Sequence, residues 1–331
     1  MSKFKIVVPI LFTFIMVAIY GLCVRLAFGS EQFSELFGTM SVAFLFITPM
    51  AIGAVTQFFA PDPLRTNFIY AFFAPWVPCL IFTGLAVLFT LEAWICMVIV
   101  LPVFFIMATA SGLLVCWFLA VFKATTESKK SLALVFLLLP FFIAPLEAQF
   151  PHQDSLRSVH TQVVVDANAE TVWSRITRVA EISEAEHRFS FFHLAGLPRP
   201  QAATLTYDGV GGVRRGQWEN NLAFIERISH WQPPQTYTMQ MEADTSDVSG
   251  TTLPLQEIGG RYFDVVEGNY TIEPISDNQV ILHFTSTYRV STRFNFYSHL
   301  WTDFFMRDVQ NYILHIMKAR AENSSSYIEI Q

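Results

Sequence analysis

Few side chains in this chain of 331 residues combine a type and a spacing that could do chemistry, and the sharpest pair lies near its end. Asp308 interrupts an otherwise apolar helical face, where a carboxylate left unpaired would have its pKa raised. His315 follows two turns later on a neighbouring line, so the two could act as acid and base on a bound molecule. An ion pair from Asp308 to Arg289 or Arg293, or solvent exposure at the edge of the face, accounts for the same carboxylate without catalysis. His187 and His193 have neither a zinc-protease spacing nor a compact ligand cluster around them, and no metal is expected. Cys23, Cys79, Cys96 and Cys116 all sit in apolar runs without paired or ligand spacing and read as packing residues. The Gly209–Gly212 stretch lacks the strand-to-helix context and the Lys-Ser/Thr of a phosphate loop; it reads as a turn, and no cofactor is expected. No nucleophile elbow and no Ser/His/Asp order supports a hydrolase.

The element that must position Asp308 is a closing helix over Phe294–Arg320. At about 100° per residue, Leu300, Trp301, Phe304, Phe305, Val309, Tyr312, Ile313 and Ile316 share one broad apolar face. Ahead of it the pattern has period two, broken by turn signals at Asp208-Gly209, Gly211-Gly212, Pro233-Pro234, Gly259-Gly260 and Asp277-Asn278. These delimit strands at Ala203–Tyr207, Val213–Glu219, Ala223–His230, Thr236–Glu242, Arg261–Ile272 and Gln279–Val290, after a first strand at Val159–Val165. A helix follows that first strand, with Asn168 as N-cap, Glu170 in the first turn and Val172, Trp173 and Ile176 at helical spacing; a second short helix is expected around Ala180–His187.

In the last strand, Val280, Leu282, Phe284, Ser286, Tyr288 and Val290 alternate onto one face, which should look toward the closing helix. In the strand before it, Tyr262, Asp264, Val266, Tyr270 and Ile272 share a parity. Candidate pocket residues are therefore Tyr262, Asp264, Tyr270, Phe284, Ser286 and Tyr288 from the sheet, with Trp301, Phe304, Phe305, Asp308 and Tyr312 from the helix. The alternative is that these side chains simply fill the core.

Composition splits the chain near residue 150. Residues 1–150 hold seven Lys/Arg, six Asp/Glu and no histidine, whereas 151–331 hold fourteen Lys/Arg, twenty-one Asp/Glu and all eight histidines. The first part reads as a membrane region of four to five helices, and the second as an acidic soluble domain with no electrostatic reason to bind nucleic acid. Spans are expected at Ile6–Phe28, Met40–Ala60, Phe68–Leu91 and Ala93–Phe122. A fifth run, Leu132–Leu146, carries Pro140 and Pro145 and is either a short span or a re-entrant piece. Lys3, Lys5, Arg65, Lys123, Lys129 and Lys130 mark cytoplasmic loops, against Glu31, Glu35 and Glu92 opposite, with Arg25 the one basic residue there. Five spans put the second domain outside the cytoplasm; four put it inside. No span carries a mid-membrane ionisable residue of the kind that marks a proton or ion path, and Ala108, Ala110, Ser111 and Gly112 give the fourth span a surface for close packing.

The order strand, two helices, long antiparallel meander and one C-terminal helix resembles the START-like helix-grip superfamily, in its polyketide cyclase and lipid-transport branch. Val163-Val164-Val165-Asp166-Ala167-Asn168-Ala169-Glu170-Thr171-Val172-Trp173 is similar to that family's opening strand and first helix. The glycine turn at Gly209–Gly212, and Glu226-Arg227-Ile228 with Pro233-Pro234, resemble its next strand and turn. The resemblance covers Val159–Ala321 and implies a curved antiparallel sheet gripping a long C-terminal helix, an α+β domain after the helical membrane bundle. It also implies a hydrophobic small molecule or lipid between them, with no universal catalytic residue to carry over. Three roles follow as expectations: membrane-tethered binding, transport or sensing of such a ligand; a cyclase- or dehydratase-like activity using Asp308 with His315 or a tyrosine; or an interaction module whose spans hold a membrane-protein partner. The apolar segment Phe189–Leu197 would be the mouth of the pocket or a patch resting on the bilayer.

Overall fold

The computed structural model describes residues 4–30, 40–122, 126–151, 153–248 and 258–328, in two units, Met1–His152 and Gln153–Gln331. Lys3, Glu31, Glu35 and Lys123, part of the charge pattern above, lie outside the described residues.

The first unit comprises α1 (Phe4–Phe28), a π-helical turn (Ala43–Ile47) running into α2 (Thr48–Phe58), α3 (Phe68–Phe73), α4 (Trp76–Leu88), α5 (Trp94–Val121) and α6 (Thr126–Ala148). Ile6–Phe28, Phe68–Leu88, Trp94–Val121 and Ser128–Ala148 are long and apolar enough to cross a membrane. Two sequence expectations change here. The second expected span, Met40–Ala60, shortens to Ala43–Phe58, and the fifth run is a full-length apolar helix. The shortening has a local cause: the Glu147 carboxylate accepts from the Val42 and Ala43 N–H groups at 2.7 and 2.9 Å, capping the helix where it starts. The fifth helix is longer than its apolar run Leu132–Leu146 because its first turns, from Thr126, are polar, and it continues through Pro140 and Pro145.

From Thr48 to Phe58, α2 is buried along its whole length. Its packing depends on Gly53, where an added Cβ would lie 2.0 Å from the Ala108 carbonyl oxygen and 2.4 Å from Ser111 Oγ. A Cβ on Gly112 would meet the Ala71 carbonyl at 2.7 Å. The small-residue surface of α5 is thus used inside this unit, against α2 and α3. Arg25 at the end of α1 pairs with Glu92 at 2.6 Å and donates to the Leu91 carbonyl, so neither charge stands alone.

The second unit is an open, curved, wholly antiparallel sheet of seven strands in the order β1-β7-β6-β5-β4-β3-β2. The strands are β1 (Gln153–Val165), β2 (Pro200–Leu205), β3 (Val213–Trp218), β4 (Ala223–Gln232), β5 (Thr236–Asp244), β6 (Phe263–Ser276) and β7 (Gln279–Thr292). Helix α7 (Ala169–Thr177) follows β1, a single helical turn α8 (Phe191–Leu194) precedes β2, and α9 (Asn295–Ile328) ends the unit. Asn168 caps α7 as expected, accepting from Thr171 N–H at 2.8 Å. Strand β1 begins earlier than its β-branched stretch: its polar first half pairs with the end of β7, and Ser158 and Thr287 share a hydroxyl hydrogen bond at 2.9 Å. In place of a helix at Ala180–His187 there is one 3-10 turn, Glu184–Glu186, closed by a capping box from Ser183 to Glu186.

Helix α9 packs on β1 and β7, while α7 covers the sheet toward β6 and β2. Gln310, fully buried, fixes α9: its amide oxygen accepts from Thr161 Oγ1 at 3.0 Å and its amide nitrogen donates to the Val159 carbonyl at 3.0 Å. Between sheet and helices lies one apolar core that includes Ile176, Tyr237, Met239, Tyr270, Leu282, Phe284, Tyr312 and Ile316.

Candidate ligand-binding site

Strand β7 supplies the most regular part of the helix-facing surface. Val280, Leu282, Phe284, Ser286, Tyr288 and Val290 are all buried and alternate with half-buried residues, the period-two pattern of a strand with one face on the core. In β6 the parity read from the sequence holds for Tyr270 and Ile272, which lie opposite Phe284 and Leu282. It fails for Tyr262 and Asp264. A β-bulge between Val265 and Glu267 inserts one residue, so that Val265, facing Tyr288, takes the inner side and Asp264 stands opposite Arg289 on the outer one. There Tyr262 stacks under the Arg261 guanidinium at 5.6 Å. Partial burial pushes the Asp264 carboxyl up, against the pull of Arg289.

Aromatic rings line the inner face. Tyr270 stacks on Phe284 with centroids 4.1 Å apart and planes 3° from parallel, and on Tyr237 at 5.3 Å. Trp173 of α7 meets Tyr237 edge-on at 5.5 Å and Trp231 at 4.9 Å. Beneath them Arg214 and Glu226 form a buried ion pair, and Arg214 also donates to the carbonyls of Thr177 and Ile176. Burial alone would pull the Arg214 guanidinium down, but the facing Glu226 carboxylate outweighs it and keeps Arg214 charged. The Tyr237 hydroxyl donates to the Ile176 carbonyl at 2.9 Å.

Two hydroxyls on this face differ from Tyr237. Tyr270 and Ser286 are each only 3% exposed, yet neither hydroxyl bonds to any of the described residues. They lie on adjacent strands, one inward position apart, around the Gly268–Ser286 pair, the smallest on this surface. A Cβ on Gly268 would meet Met239 Cε at 2.6 Å, so the missing side chain lets two flexible methionines, Met239 and Met241, lie against the sheet there. Burial lifts the Tyr270 phenol well above its ordinary value, so it stays a neutral donor.

The helix contributes less than its apolar wheel suggested. Phe305, Val309, Tyr312, Ile313 and Ile316 meet the core, and Trp301 is half-buried, but Leu300 and Phe304 are exposed. Phe304 instead joins Phe191 at 5.5 Å, and Phe191 joins Phe189 at 5.3 Å. Phe189 is 73% exposed, and with Phe191, Leu194, Phe296, Leu300 and Phe304 it belongs to an apolar outer surface. Asp308 is neither ion-paired nor free: its carboxylate accepts from the Phe192 N–H at 2.8 Å, at the start of α8. His315 is exposed and faces away, so the structure does not bring Asp308 and His315 together. Tyr288 is buried but lies past Ser286 in a separate small cluster with Val159 and Val290.

Residues 183–199 close over this region through polar contacts. Tyr312 is hydrogen-bonded to His187, whose imidazole burial and Arg199 hold below its ordinary value. Arg199 pairs with Glu219 at 2.5 Å and with Glu184 at 3.1 Å. Arg320 of α9 pairs with Glu186 at 2.5 Å and holds that carboxyl down at about 2.

No protein-family profile matches the chain, and no curated protein matches it. Solved structures similar to it include a START superfamily protein from Mycobacterium smegmatis, with 13% identity over 50% of this chain and 98% of that one and a TM-score of 0.34. A norcoclaurine synthase point mutant from Thalictrum flavum, bound to a transition-state analogue, has 12% identity over 52% and 98%, with a TM-score of 0.33. A Streptomyces aromatase/cyclase has 13% identity over 52% and 96%, with a TM-score of 0.33.

Proposed function

We propose that this protein is a membrane-anchored binder of a hydrophobic small molecule, a lipid or lipid-like compound, held between the inner face of β5–β7 and helix α9. One observation carries the reading: Tyr270 and Ser286 are buried residues of an apolar surface, and neither hydroxyl bonds to any of the described residues. A ligand with one polar group would give those hydroxyls a partner within an apolar surface. The aromatic stack supplies apolar area beside them, and the exposed phenylalanines of the 183–199 segment and α9 suit a ligand drawn from a bilayer. Four long apolar helices and one short one would anchor the chain. If the short helix also crosses, the Gln153–Gln331 unit lies outside the cytoplasm. A cyclase-like reading on Asp308 and His315 has no support in the geometry, because the carboxylate is committed to Phe192 N–H and the imidazole is exposed.

The test is mass spectrometry of organic extracts from the purified full chain, compared with Ser286→Trp. A discrete lipid-sized compound should accompany the wild-type protein in stoichiometric amount and be lost from the variant. Equal recovery from both, with both folded, would refute the reading.

A further inference from the structure

Past Ser286 on the same strand, five polar side chains join β1, β7 and α9 in one hydrogen-bonded line. Ser155 Oγ lies 3.0 Å from His299 Nε2, His299 Nδ1 lies 3.2 Å from the Tyr288 hydroxyl, and that hydroxyl lies 2.5 Å from Asp303 Oδ1. Arg157 closes the line at 3.3 Å from the other Asp303 oxygen. The direction of each bond follows from donor counting. An ionised carboxylate only accepts, so Tyr288 donates its single proton to Asp303. Its oxygen can then only accept, which puts the imidazole proton on Nδ1 of His299. A neutral imidazole has one N–H, so Nε2 is a bare lone pair and Ser155 must donate to it. Two further facts agree. Burial, with Arg157, holds the His299 imidazole below its ordinary value, so it is neutral near pH 7. Burial and Asp303 hold the Tyr288 phenol above its ordinary value, so it keeps its proton.

A line of this kind could serve only to tie α9 to β1. That tie already exists one helical stretch further on, where Gln310 spends both amide atoms on Thr161 and Val159. Ser155 differs in being half-buried on β1, an edge strand, with its proton aimed at a base whose other nitrogen is held in the matching tautomer. We propose that Ser155 is an activated nucleophile, with His299 as its general base and Tyr288 and Asp303 as positioning residues, able to accept an acyl group from a carboxylic ester or thioester. In that step Ser155 Oγ bonds to the carbonyl carbon as the carbon–oxygen or carbon–sulfur bond to the leaving group breaks. The serine proton passes to Nε2 and on to the departing alkoxide or thiolate. Water, deprotonated by the same imidazole, then releases the acid and restores the serine. This site is separate from the proposed ligand surface and does not depend on it.

The experiment treats the full chain in nanodiscs with an alkyl fluorophosphonate, which loses fluoride on bonding to an activated serine, and maps the adduct by peptide mass. One adduct on Ser155 is expected. Its rate should rise with pH along a single ionisation below the ordinary imidazole value, lowered by burial and by Arg157 on β1 against the opposing pull of Asp303 on α9, with the neutral Tyr288 of β7 facing the ring. His299→Gln should slow labelling by at least about a hundredfold. Tyr288→Phe, which leaves Nδ1–H without its acceptor, should slow it and change the pH profile. Absence of an adduct on Ser155, or a wild-type rate with no ionisation near that of an imidazole, would overturn the proposal. Because the pH profile is measured on the wild-type protein, the result stands even if a variant fails to fold.

Discussion

The hydroxyls of Tyr237 and Tyr270 permit a direct comparison, since their rings stack at 5.3 Å and both are buried. Tyr237 donates to the Ile176 carbonyl at 2.9 Å, and Tyr270 bonds to none of the described residues. Removing the first hydroxyl in Tyr237→Phe should cost about 1 kcal/mol of stability, the net worth of a buried hydrogen bond. In a domain of this size that is a fall of about 2–4 °C in Tm. Removing the second in Tyr270→Phe, or the Ser286 hydroxyl in Ser286→Ala, deletes a group with nothing to lose, so ligand-free stability should hold or rise slightly. If these hydroxyls orient a ligand, each deletion should weaken binding by about 1 kcal/mol, or about fivefold in Kd. The assay follows thermal unfolding of the delipidated full chain together with displacement of a fluorescent fatty-acyl probe. The reasoning is refuted if Tyr270→Phe lowers Tm as much as Tyr237→Phe while probe affinity is unchanged, because the hydroxyl would then belong to the core.

Replacing exposed Phe189 and Phe191 together by Asp should leave Tm within a degree or two but slow uptake of the probe from vesicles by about tenfold or more, since two large apolar groups would no longer meet the lipid surface. Unchanged uptake would exclude that surface as the entry route. In the first unit, Gly53→Val should disrupt the packing of α2 on α5, where an added Cβ already lies 2.0 Å from a carbonyl oxygen, and should cost at least about 2 kcal/mol. Size-exclusion profiles and thermal aggregation of the full chain report it, and a wild-type profile would argue against that contact. The Glu186–Arg320 pair sets a pH dependence with a definite sign. Its carboxyl is held at about 2 against an ordinary 4.5, so its contribution is fully present above pH 4.5 and is lost as pH falls toward 2. Allowing for the partial exposure of both groups, the contribution is about 1 kcal/mol. The Tm difference between wild type and Glu186→Gln should therefore be present at pH 6 and largely lost by pH 2. A difference undiminished at pH 2 would point to another cause.

The sheet was legible where its residues obey a local rule. The β7 alternation and the Asn168 cap are each decided within a few positions, and both are as the sequence pattern implies. The bulge in β6 could not be read, because it depends on how that strand pairs with β7, and one extra residue reverses the side on which Tyr262 and Asp264 lie. The helix wheel identified an apolar stripe but not its partners: Phe305 and Tyr312 meet the core, while Leu300 and Phe304 on the same stripe do not. Asp308 drew notice for its apolar neighbours, yet its partner is a backbone N–H 116 positions earlier. Ser155 and His299 are 144 positions apart, and no spacing rule links a polar residue at the start of a domain to one near its end.

The two covers of the inner face are held by different forces, and this bears on how a ligand would enter. Helix α9 is fixed to the sheet by Gln310, fully buried with both amide atoms bonded, and lifting it would strand those groups and open the core. Residues 183–199 are held by ion pairs with solvent access, Arg199 to Glu184 and Glu219 and Arg320 to Glu186, together with the hydrogen bonds of Asp308 to Phe192 N–H and Tyr312 to His187. Such pairs contribute about 1 kcal/mol or less each, and water replaces them at little cost when they part. Ser190, Phe192, Ala195 and Pro198 are buried on the segment, while Phe189 and Phe191 are exposed on its outer side. Opening therefore favours the segment over the helix. A segment that opens beside exposed phenylalanines would pass an apolar ligand from lipid to sheet without the long helix having to move.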